Sequence, residues 1–264
     1  WGGEPVEADM ERSMNLLAKI PTMIATDYRF RKGKRRIAPR TDLSFSENFL
    51  NMCFGEVPPK QVVTAFDISL ILYAEHSFNA STFATRVVTS TMSDVYSAVT
   101  AGIGALKGPL HGGANEAVMN MLLEIDHPDK ADSWLRDAFA NKRVVMGFGH
   151  RVYKWGDSRV PTMRGCLEDL ARWKNDRKWI EIEDVLEDIM VKEKKIHPNL
   201  DYPAGPAYYM MGFDIDMYTP IFVMSRITGW TAHYMEQNAA NRLIRPLSTY
   251  IGVKQRRVKP IAKR

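Results

Sequence analysis

Residues 62–74 read VVTAFDISLILYA, which is the most apolar helical segment of the chain and restricts the fold more than any other. A helix built from this segment is apolar on nearly every side, so we expect it to be buried among other helices. Pro58 and Pro59 precede it, and proline is tolerated in the first turn of a helix. The sequence therefore predicts a buried helix that runs from these prolines to about His76.

Helical periodicity also dominates the chain on both sides of this segment. Further helices are predicted at residues 9–28, 44–54, 81–90, 93–106, 114–125, 131–141, 160–173, 179–193 and 218–238. Strict apolar–polar alternation, which would indicate a strand, is absent, and so are internal repeats and sustained heptads. Between residues 198 and 206 we expect a proline-rich turn. The predicted fold class is all-α.

Composition is that of an ordinary globular protein, with 45% hydrophobic and 25% charged residues. No apolar run approaches the ~20 residues of a membrane-spanning helix, so we expect no membrane partner. Cys53 and Cys166 are too few for a disulfide framework, which indicates a reducing compartment and a cytoplasmic location. The chain begins at Trp1 with no signal-peptide features, and we interpret it as a truncated chain.

The net charge of +5 is concentrated in two places. Residues 29–40 and 254–264 are strongly basic and contain no acidic residue, whereas the rest of the chain is net acidic. Two interpretations stay open at this point. The segments are either a solvated loop and tail, or a site for phosphates or nucleic acid.

Three irregular segments place a polar residue beside glycine or proline, between apolar helices. They are PLHGGAN with His111, GFGHRVY with His150 and HPNLDYPAG with Asp201. Two histidines and a carboxylate suit general acid–base chemistry. Each histidine could instead be structural, and the same three residue types could form a facial metal site. Short metal-binding spacings and a dinucleotide fingerprint are absent.

Three arginines and a fourth polar group stand at or beside predicted helix ends. Arg159, Arg226 and Arg245 could bind carboxylates in a bidentate way, and His76 ends the most apolar helix. Arg226 lies inside the apolar run IFVMSRITGW, where an unpaired charge would cost several kcal/mol. We therefore expect Arg226 to face an anion.

Several long motifs occur in one order: LYAEHSFNASTFATRV, PLHGGANEAV, VVMGFGHRVYK with DSR, PNLDYPAG, SRITGWTAHYMEQ and RLIRP. Together they resemble the citrate synthase family, which includes the 2-methylcitrate synthases. The resemblance extends from about residue 10 to residue 253. Ordered motifs over such a length are far more specific than any single one.

The resemblance implies an enzyme that condenses an acyl-CoA with oxaloacetate and releases CoA, without a metal or other cofactor. His111 matches the group that stabilises the enolate, Asp201 the base and His150 the acid acting on oxaloacetate. His76, Arg159, Arg226 and Arg245 match the oxaloacetate-binding residues. The matching CoA-binding loop consists of Val144, Val145, Met146, Gly147, Phe148 and Gly149. Family resemblance also implies a homodimer in which Arg245 reaches the partner's site, with neither nucleic acid nor a membrane as partner.

By the same resemblance, the fold consists of two helical domains that close on the substrates. The large domain would comprise residues 1–112 and 212–264, and the small domain residues 113–211. Family members are roughly a hundred residues longer at the N-terminus, so part of the large domain is expected to be missing. The chain also has Ser158 where members commonly have proline, which we expect to loosen the turn while Arg159 still binds.

The sequence leaves the acyl group open, because one methylene in an apolar pocket gives only ~1–3 kcal/mol of discrimination. We favour 2-methylcitrate formation from propionyl-CoA, with citrate formation from acetyl-CoA as the alternative. A catalytically silent helical binding protein is a remote alternative. Nucleic-acid binding through the two basic segments is a further hypothesis, which salt dependence would test.

Overall fold

Eleven α-helices form the part of the chain that the computed structural model describes, residues 6–264. Apart from an isolated β-bridge between Phe148 and Pro198, this part contains no strand pairing. The helices are α1 (Val6–Arg31), α2 (Phe45–Phe54), α3 (Lys60–Ala74), α4 (Ala80–Thr89), α5 (Val95–Leu106), α6 (Ala114–Ile125), α7 (Pro128–Ala140), α8 (Val160–Lys174), α9 (Lys178–Ile189), α10 (Asp201–Met211) and α11 (Tyr218–Ala239). The prediction of an all-α fold is confirmed. Residues 1–5, which the predicted large domain includes, lie outside the described residues.

Three shorter helical turns accompany these helices, two of them next to a helix and one near the chain end. A π-helical turn continues α9, a 3-10 turn precedes α11, and another 3-10 turn lies near the C-terminus: Met190–Lys194, Ile215–Met217 and Ile261–Lys263. The helix predicted from residue 44 is α2, and of the two candidate capping serines, Ser44 and Ser46, it is Ser44 that forms a reciprocal capping box with Glu47. Local sequence signals therefore set several helix boundaries correctly.

Helix α3 lies at the centre of the packing, against α2, α8, α10 and α11. Its side chains Val62, Phe66 and Tyr73 are almost completely buried. Phe66 stacks on Phe49 of α2 with ring centroids 5.3 Å apart. The expectation of burial on all sides was too strong, since Ile71 remains 68% exposed. Neighbouring helices cover the rest of α3 and leave that side open.

The proline-rich turn predicted at residues 198–206 was wrong from Asp201 onward, where α10 begins. Pro203 stands in the first turn, where backbone N–H groups have no partner within the helix and proline costs little. Pro206 lies inside α10, and Gly205 lets the helix approach the backbone of α6 closely. Tertiary packing thus stabilises a helix that local propensity disfavours.

The approach of α11 to the end of α3 requires a glycine. A Cβ atom at Gly229 would lie 2.5 Å from the carbonyl oxygen of Ala74, which is too close for any side chain. One turn earlier on α11, this approach brings Arg226 to the backbone of Tyr73. The close crossing of α3 and α11 therefore places the charged side chain of Arg226 in the interior.

Candidate active site

A cavity of about 730 Å³ opens where the ends of α3 and α10 meet α11 and the irregular segments before α6 and α8. Six of the seven residues predicted to act in catalysis or to bind oxaloacetate line it: His76, His111, His150, Arg159, Asp201 and Arg226. Side chains more than a hundred residues apart in sequence therefore share one space. A cavity of this size with few convergent polar groups is typical of a small-molecule site.

Asp201 is the first residue of α10, and its two carboxylate oxygens differ in their surroundings. Oδ1 accepts a 2.7 Å hydrogen bond from the hydroxyl of Tyr73. The backbone N–H of Asp201 donates to Oδ1 of Asn199. Burial raises the pKa of Asp201 above its usual range, while the hydrogen bond from Tyr73 and the charges of Arg159 and Arg226 oppose that rise. The raised pKa means that the carboxylate form of Asp201 is a stronger base than that of an exposed aspartate.

His111 lies in the turn before α6 and is oriented by α4. Its Nε2 atom accepts the backbone N–H of Ser81 at 3.3 Å and lies 2.8 Å from the Ser81 hydroxyl. Because a backbone N–H can only donate, the ring proton belongs on Nδ1. The Ser81 hydroxyl in turn accepts the indole N–H of Trp230. Burial lowers the pKa of His111 to about 4, so its Nδ1–H is a neutral donor at pH 7.

His150 and His76 meet with their Nε2 atoms 3.0 Å apart. The Nδ1 atom of His150 accepts the backbone N–H groups of Val152 and Tyr153, at 3.1 and 3.2 Å. Its proton therefore belongs on Nε2 and points to His76. Burial lowers the pKa of both rings, that of His76 to about 4. His150 thus presents a neutral donor, which a bound carbonyl oxygen could accept in place of His76.

Arg159 is held by a carboxylate that the sequence analysis did not single out. Its Nε and Nη2 atoms donate to the two oxygens of Asp157 at 2.9 and 2.6 Å. The same buried carboxylate accepts the backbone N–H of Leu200, immediately before Asp201. Burial opposes ionisation of Asp157, but the hydrogen bonds and charge of Arg159 bring its pKa below the usual range. Asp157 therefore connects the position of Arg159 with the start of α10.

Arg226 is 1% exposed and carries an unused hydrogen-bond donor. Its Nε atom donates to the carbonyl oxygen of Tyr73 at 2.6 Å, and its guanidinium lies over the ring of Phe222. The buried Nη1 atom has no partner among the described residues. Burial lowers the pKa of this arginine to about 10. A buried guanidinium with a free donor beside a cavity favours binding of an anion, as the apolar sequence around it predicts.

Comparison with known proteins identifies the family. The sequence-family model for the C-terminal domain of citrate synthase matches residues 3–247. This chain belongs to the citrate synthase family.

Relatives named citrate synthase and relatives named 2-methylcitrate synthase are equally similar to this chain. The chain is 60% identical over 253 residues to a citrate synthase of Mycolicibacterium smegmatis, covering 96% of this chain and 68% of that protein. It is also 60% identical over 249 residues to a 2-methylcitrate synthase of Mycobacterium tuberculosis, covering 94% of this chain and 63% of that protein. The chain thus spans about two thirds of the length of these curated relatives.

Solved citrate synthase structures share the fold. One is the enzyme of Thermoplasma acidophilum in a ternary complex with carboxymethyl coenzyme A and oxaloacetate, with a TM-score of 0.91 and 38% identity over all of this chain and 71% of that one. Another, from Thermotoga maritima, has a TM-score of 0.87 and 41% identity over 98% of this chain and 71% of that one. These structures support the same all-α architecture.

Arg245 is the one predicted oxaloacetate ligand that this chain does not bring to the cavity. It is exposed and lies in the irregular segment after α11. The backbone N–H of Ile244 bonds the hydroxyl of Ser90 at the end of α4, and residues beyond it extend away, with Leu247 94% exposed. Nothing within the described residues therefore places Arg245 near the other six.

The predicted CoA-binding segment, residues 144–149, lies beside the start of α10. Gly147 has a φ of +82°, and a Cβ there would lie 2.7 Å from the ring of Tyr202. The carbonyl oxygens of Gly147 and Gly149 accept the backbone and side-chain N–H groups of Asn199. Of the six predicted loop residues, only Gly149 lines the cavity, while Val144 is 74% exposed.

The turn with Ser158 in place of proline still closes. The N–H of Val160 bonds the carbonyl oxygen of Asp157 at 3.0 Å, and the N–H of Arg159 bonds its carboxylate. The aspartate side chain thus supplies hydrogen bonds that define the turn, where proline would have restricted φ.

Three of the seven basic side chains in residues 29–40 form ion pairs with neighbouring acids, and one of them is Arg40 with Asp42. Arg31 pairs with Asp27 and Asp216, and Lys32 pairs with Asp214. The cavity lining includes no residue of 29–40 or 254–264. The pairing favours the interpretation of residues 29–40 as a solvated surface element.

Within residues 6–264, no group of three histidine, cysteine, aspartate or glutamate side chains is placed to hold a metal ion, and this includes the facial triad considered from sequence. No helix in this part is long and apolar enough to cross a membrane.

Sequence reasoning missed four residues that hydrogen-bond the predicted ones, Tyr73, Ser81, Asp157 and Asn199, and also Trp230, which bonds Ser81. Asp157 could have been found, because it stands two positions before Arg159 in the same motif. Ser81 and Trp230 also stand in motifs quoted above, but they lie far from His111 in sequence, and only helix packing brings Ser81 to His111 and Trp230 to Ser81.

Proposed function

We propose that the protein joins the α-carbon of an acyl-CoA thioester to the keto carbon of oxaloacetate and then hydrolyses the thioester to release CoA. The products would be 2-methylcitrate from propionyl-CoA and citrate from acetyl-CoA. The observation that carries the proposal is the convergence of Asp201, His111 and His150 on one cavity that also holds Arg159 and Arg226.

In this mechanism Asp201 takes a proton from the α-carbon of the thioester. The Nδ1–H of His111 donates to the thioester oxygen as negative charge develops there. A preorganised donor at that oxygen is worth several kcal/mol in a site that excludes water. The two groups have to act together, since a thioester α-proton is a weak acid and a carboxylate alone is a weak base.

The enolate carbon then attacks the keto carbon of oxaloacetate, and the keto oxygen takes the proton from Nε2 of His150. The tautomer supports this role, because two backbone N–H groups occupy Nδ1 and leave the proton on Nε2. Water finally cleaves the thioester and CoA leaves as the thiol. The scheme uses only side chains of the protein, the two substrates and water. The CoA thioester is one of those substrates and not a cofactor.

Oxaloacetate is a dianion, which accounts for the cationic groups. The unpartnered Nη1 of Arg226 supports its assignment to one carboxylate. The Nη1 atom of Arg159 is the donor proposed for the other carboxylate, since it makes only a 3.4 Å contact with the carbonyl oxygen of Leu72. His76 would help to hold the keto group beside His150.

We propose that Arg245 completes the oxaloacetate site of a second copy of the chain. Its exposure, and the exposed apolar side chains of Leu247, Tyr250 and Ile251 that follow, support a homodimer in which this segment packs on the partner. A cytoplasmic location agrees with two cysteines that are both free thiols.

We keep the division into a large domain (1–112 and 212–264) and a small domain (113–211) as a proposal. The large domain contributes His76, His111 and Arg226 to the cavity, and the small domain contributes His150 and Asp201. Movement of the small domain against the large one would assemble the acid and the base around bound substrates and exclude water.

The test is release of free CoA thiol by the full-length natural protein, with oxaloacetate and either propionyl-CoA or acetyl-CoA. Release must depend on oxaloacetate and fall by about 10²–10⁴-fold or more in Asp201→Asn, because the base is lost. Asp132→Asn, an exposed aspartate of α7, is the matched control and should behave as wild type.

The ratio of kcat/KM values for the two esters assigns the acyl group. Discrimination by one methylene is limited to about 10–200-fold, so activity with both esters is expected. No thiol release with either ester from well-folded protein would reject the condensing function and favour a silent binding protein.

A further inference from the structure

The hydrogen bond between Tyr73 and Asp201 has a fixed direction. The two oxygens are 2.7 Å apart, and Tyr73 is only 2% exposed. Burial and then the charge of Asp201 raise the pKa of Tyr73 well above its usual value. The phenol therefore stays protonated at any working pH and donates to Oδ1.

The helical backbone and two contacts restrict the position of the phenol. Tyr73 lies on α3, whose backbone is helical up to Ala74. Its ring packs on Phe222 with centroids 4.3 Å apart, and its carbonyl oxygen accepts the Nε–H of Arg226. The hydroxyl thus has little freedom to follow the carboxylate if Asp201 rotates.

This arrangement makes the two oxygens of Asp201 unequal. Oδ1 holds a strong, charge-assisted hydrogen bond, whereas no protein donor bonds Oδ2 among the described residues. A base that takes a proton from carbon must present one lone pair in a fixed direction.

We propose that Tyr73 is a positioning residue that holds Oδ1 of Asp201, so that Oδ2 is the oxygen that receives the α-proton. This inference rests on the proposed condensing function. Tyr73 belongs to the proposed large domain and Asp201 to the proposed small one, so the hydrogen bond orients the base only when the two parts are docked.

The hydrogen bond has a second effect on the base. It stabilises the carboxylate form and so lowers the pKa of Asp201 against the effect of burial. Without it, Asp201 would be protonated up to a higher pH and would also rotate more freely. Loss of the hydroxyl should therefore change both the rate and its pH dependence.

The test is Tyr73→Phe, which keeps the ring and removes the hydroxyl alone. We expect kcat to fall about ten- to a hundredfold, oxaloacetate affinity to stay unchanged, and the acidic limb of the kcat/KM profile to move to higher pH. Tyr218→Phe is the matched control, because Tyr218 is fully buried and its hydroxyl has no partner among the described residues. It should retain the wild-type rate and profile.

A direct titration separates this inference from the proposed function. The pKa of Asp201 can be measured by carbon NMR of labelled aspartate carboxyls, with the Asp201 signal assigned from Asp201→Asn. It should be higher in Tyr73→Phe than in wild type, and unchanged in Tyr218→Phe. This measurement needs no turnover, so it tests the contact even if wild-type protein releases no thiol. Absence of wild-type turnover would reject the proposed function instead.

If Tyr73→Phe fails to fold, a fluorinated tyrosine at position 73 replaces it. The more acidic phenol donates more strongly and should move the acidic limb to lower pH, opposite to Tyr73→Phe. An unchanged pKa of Asp201 and an unchanged pH profile would overturn the inference. A loss of rate accompanied only by weaker oxaloacetate binding would also overturn it, because that pattern indicates a structural role.

Discussion

The C-terminal end of α3, residues 72–76, contrasts with the segment after α11, residues 240–264. In the first, Tyr73 is buried and Glu75 alone is exposed, and the polar groups bond Arg159, Asp201, Arg226 and His150 within the same chain. The second also carries a predicted substrate ligand, Arg245, but it has no regular structure except a final 3-10 turn and is almost entirely exposed.

The difference shows which parts of the site one chain can build alone. A buried polar group needs a partner, so the end of α3 gathers the side chains that satisfy it and orients them for substrate. An exposed arginine obtains its partners from water and can be positioned only by something that covers it. The proposed second copy would supply that cover.

The largest effect should come from Arg226→Gln, which removes the interior cation. We expect the KM for oxaloacetate to rise about a hundredfold or more, because a charge-assisted bond to a substrate carboxylate is lost. Arg172→Gln is the control, since its exposed ion pair with Asp169 is worth only ~0–1 kcal/mol. An unchanged KM in steady-state kinetics would show that Arg226 does not bind oxaloacetate.

An intermediate effect should distinguish the two regions through mixed dimers. Arg245→Gln and Asp201→Asn should each be nearly inactive alone. After unfolding and refolding together they should recover about a quarter of wild-type activity, since half of the dimers are mixed and each has one intact site.

Arg226→Gln mixed with Asp201→Asn should recover nothing, because both residues belong to the same chain's cavity. Recovery in that second mixture, or none in the first, would reverse the assignment of the two regions. Thiol release measured before and after mixing gives the answer.

The smallest effect is a pH dependence of stability that comes from buried histidines of the cavity and not from the segment after α11. Burial lowers the pKa of His76 and His111 to about 4, against ~6.5 in an unfolded chain. Between these values the unfolded chain binds protons that the folded chain does not, so stability should fall as the pH decreases from ~6.5 to ~4.

The measurement is urea unfolding across that range for wild type, His111→Asn and a chain cut after residue 245. His111→Asn should lose stability less steeply, and the shortened chain should keep the wild-type slope. Equal slopes in wild type and His111→Asn would contradict the lowered pKa of His111.

Much of the fold could be predicted because helices are local structures. The 3.6-residue periodicity of α6 and α11 and the capping box at Ser44 are legible within a few residues of sequence. Helix α10 could not be predicted in this way, because its prolines and glycine indicate a turn. Only packing against α6 and α8 makes the helix the better conformation.

The candidate residues were likewise identified from ordered motifs, but not the contacts that orient them. By itself the sequence determined that His111, His150, Asp201 and Arg226 stand in positions typical of a citrate synthase. Tertiary structure decided that Ser81 directs the proton of His111 and that Tyr73 bonds Asp201. These partners lie 30 and 128 residues apart in sequence, where hydrogen bonding depends on the packing of whole helices and leaves no local pattern.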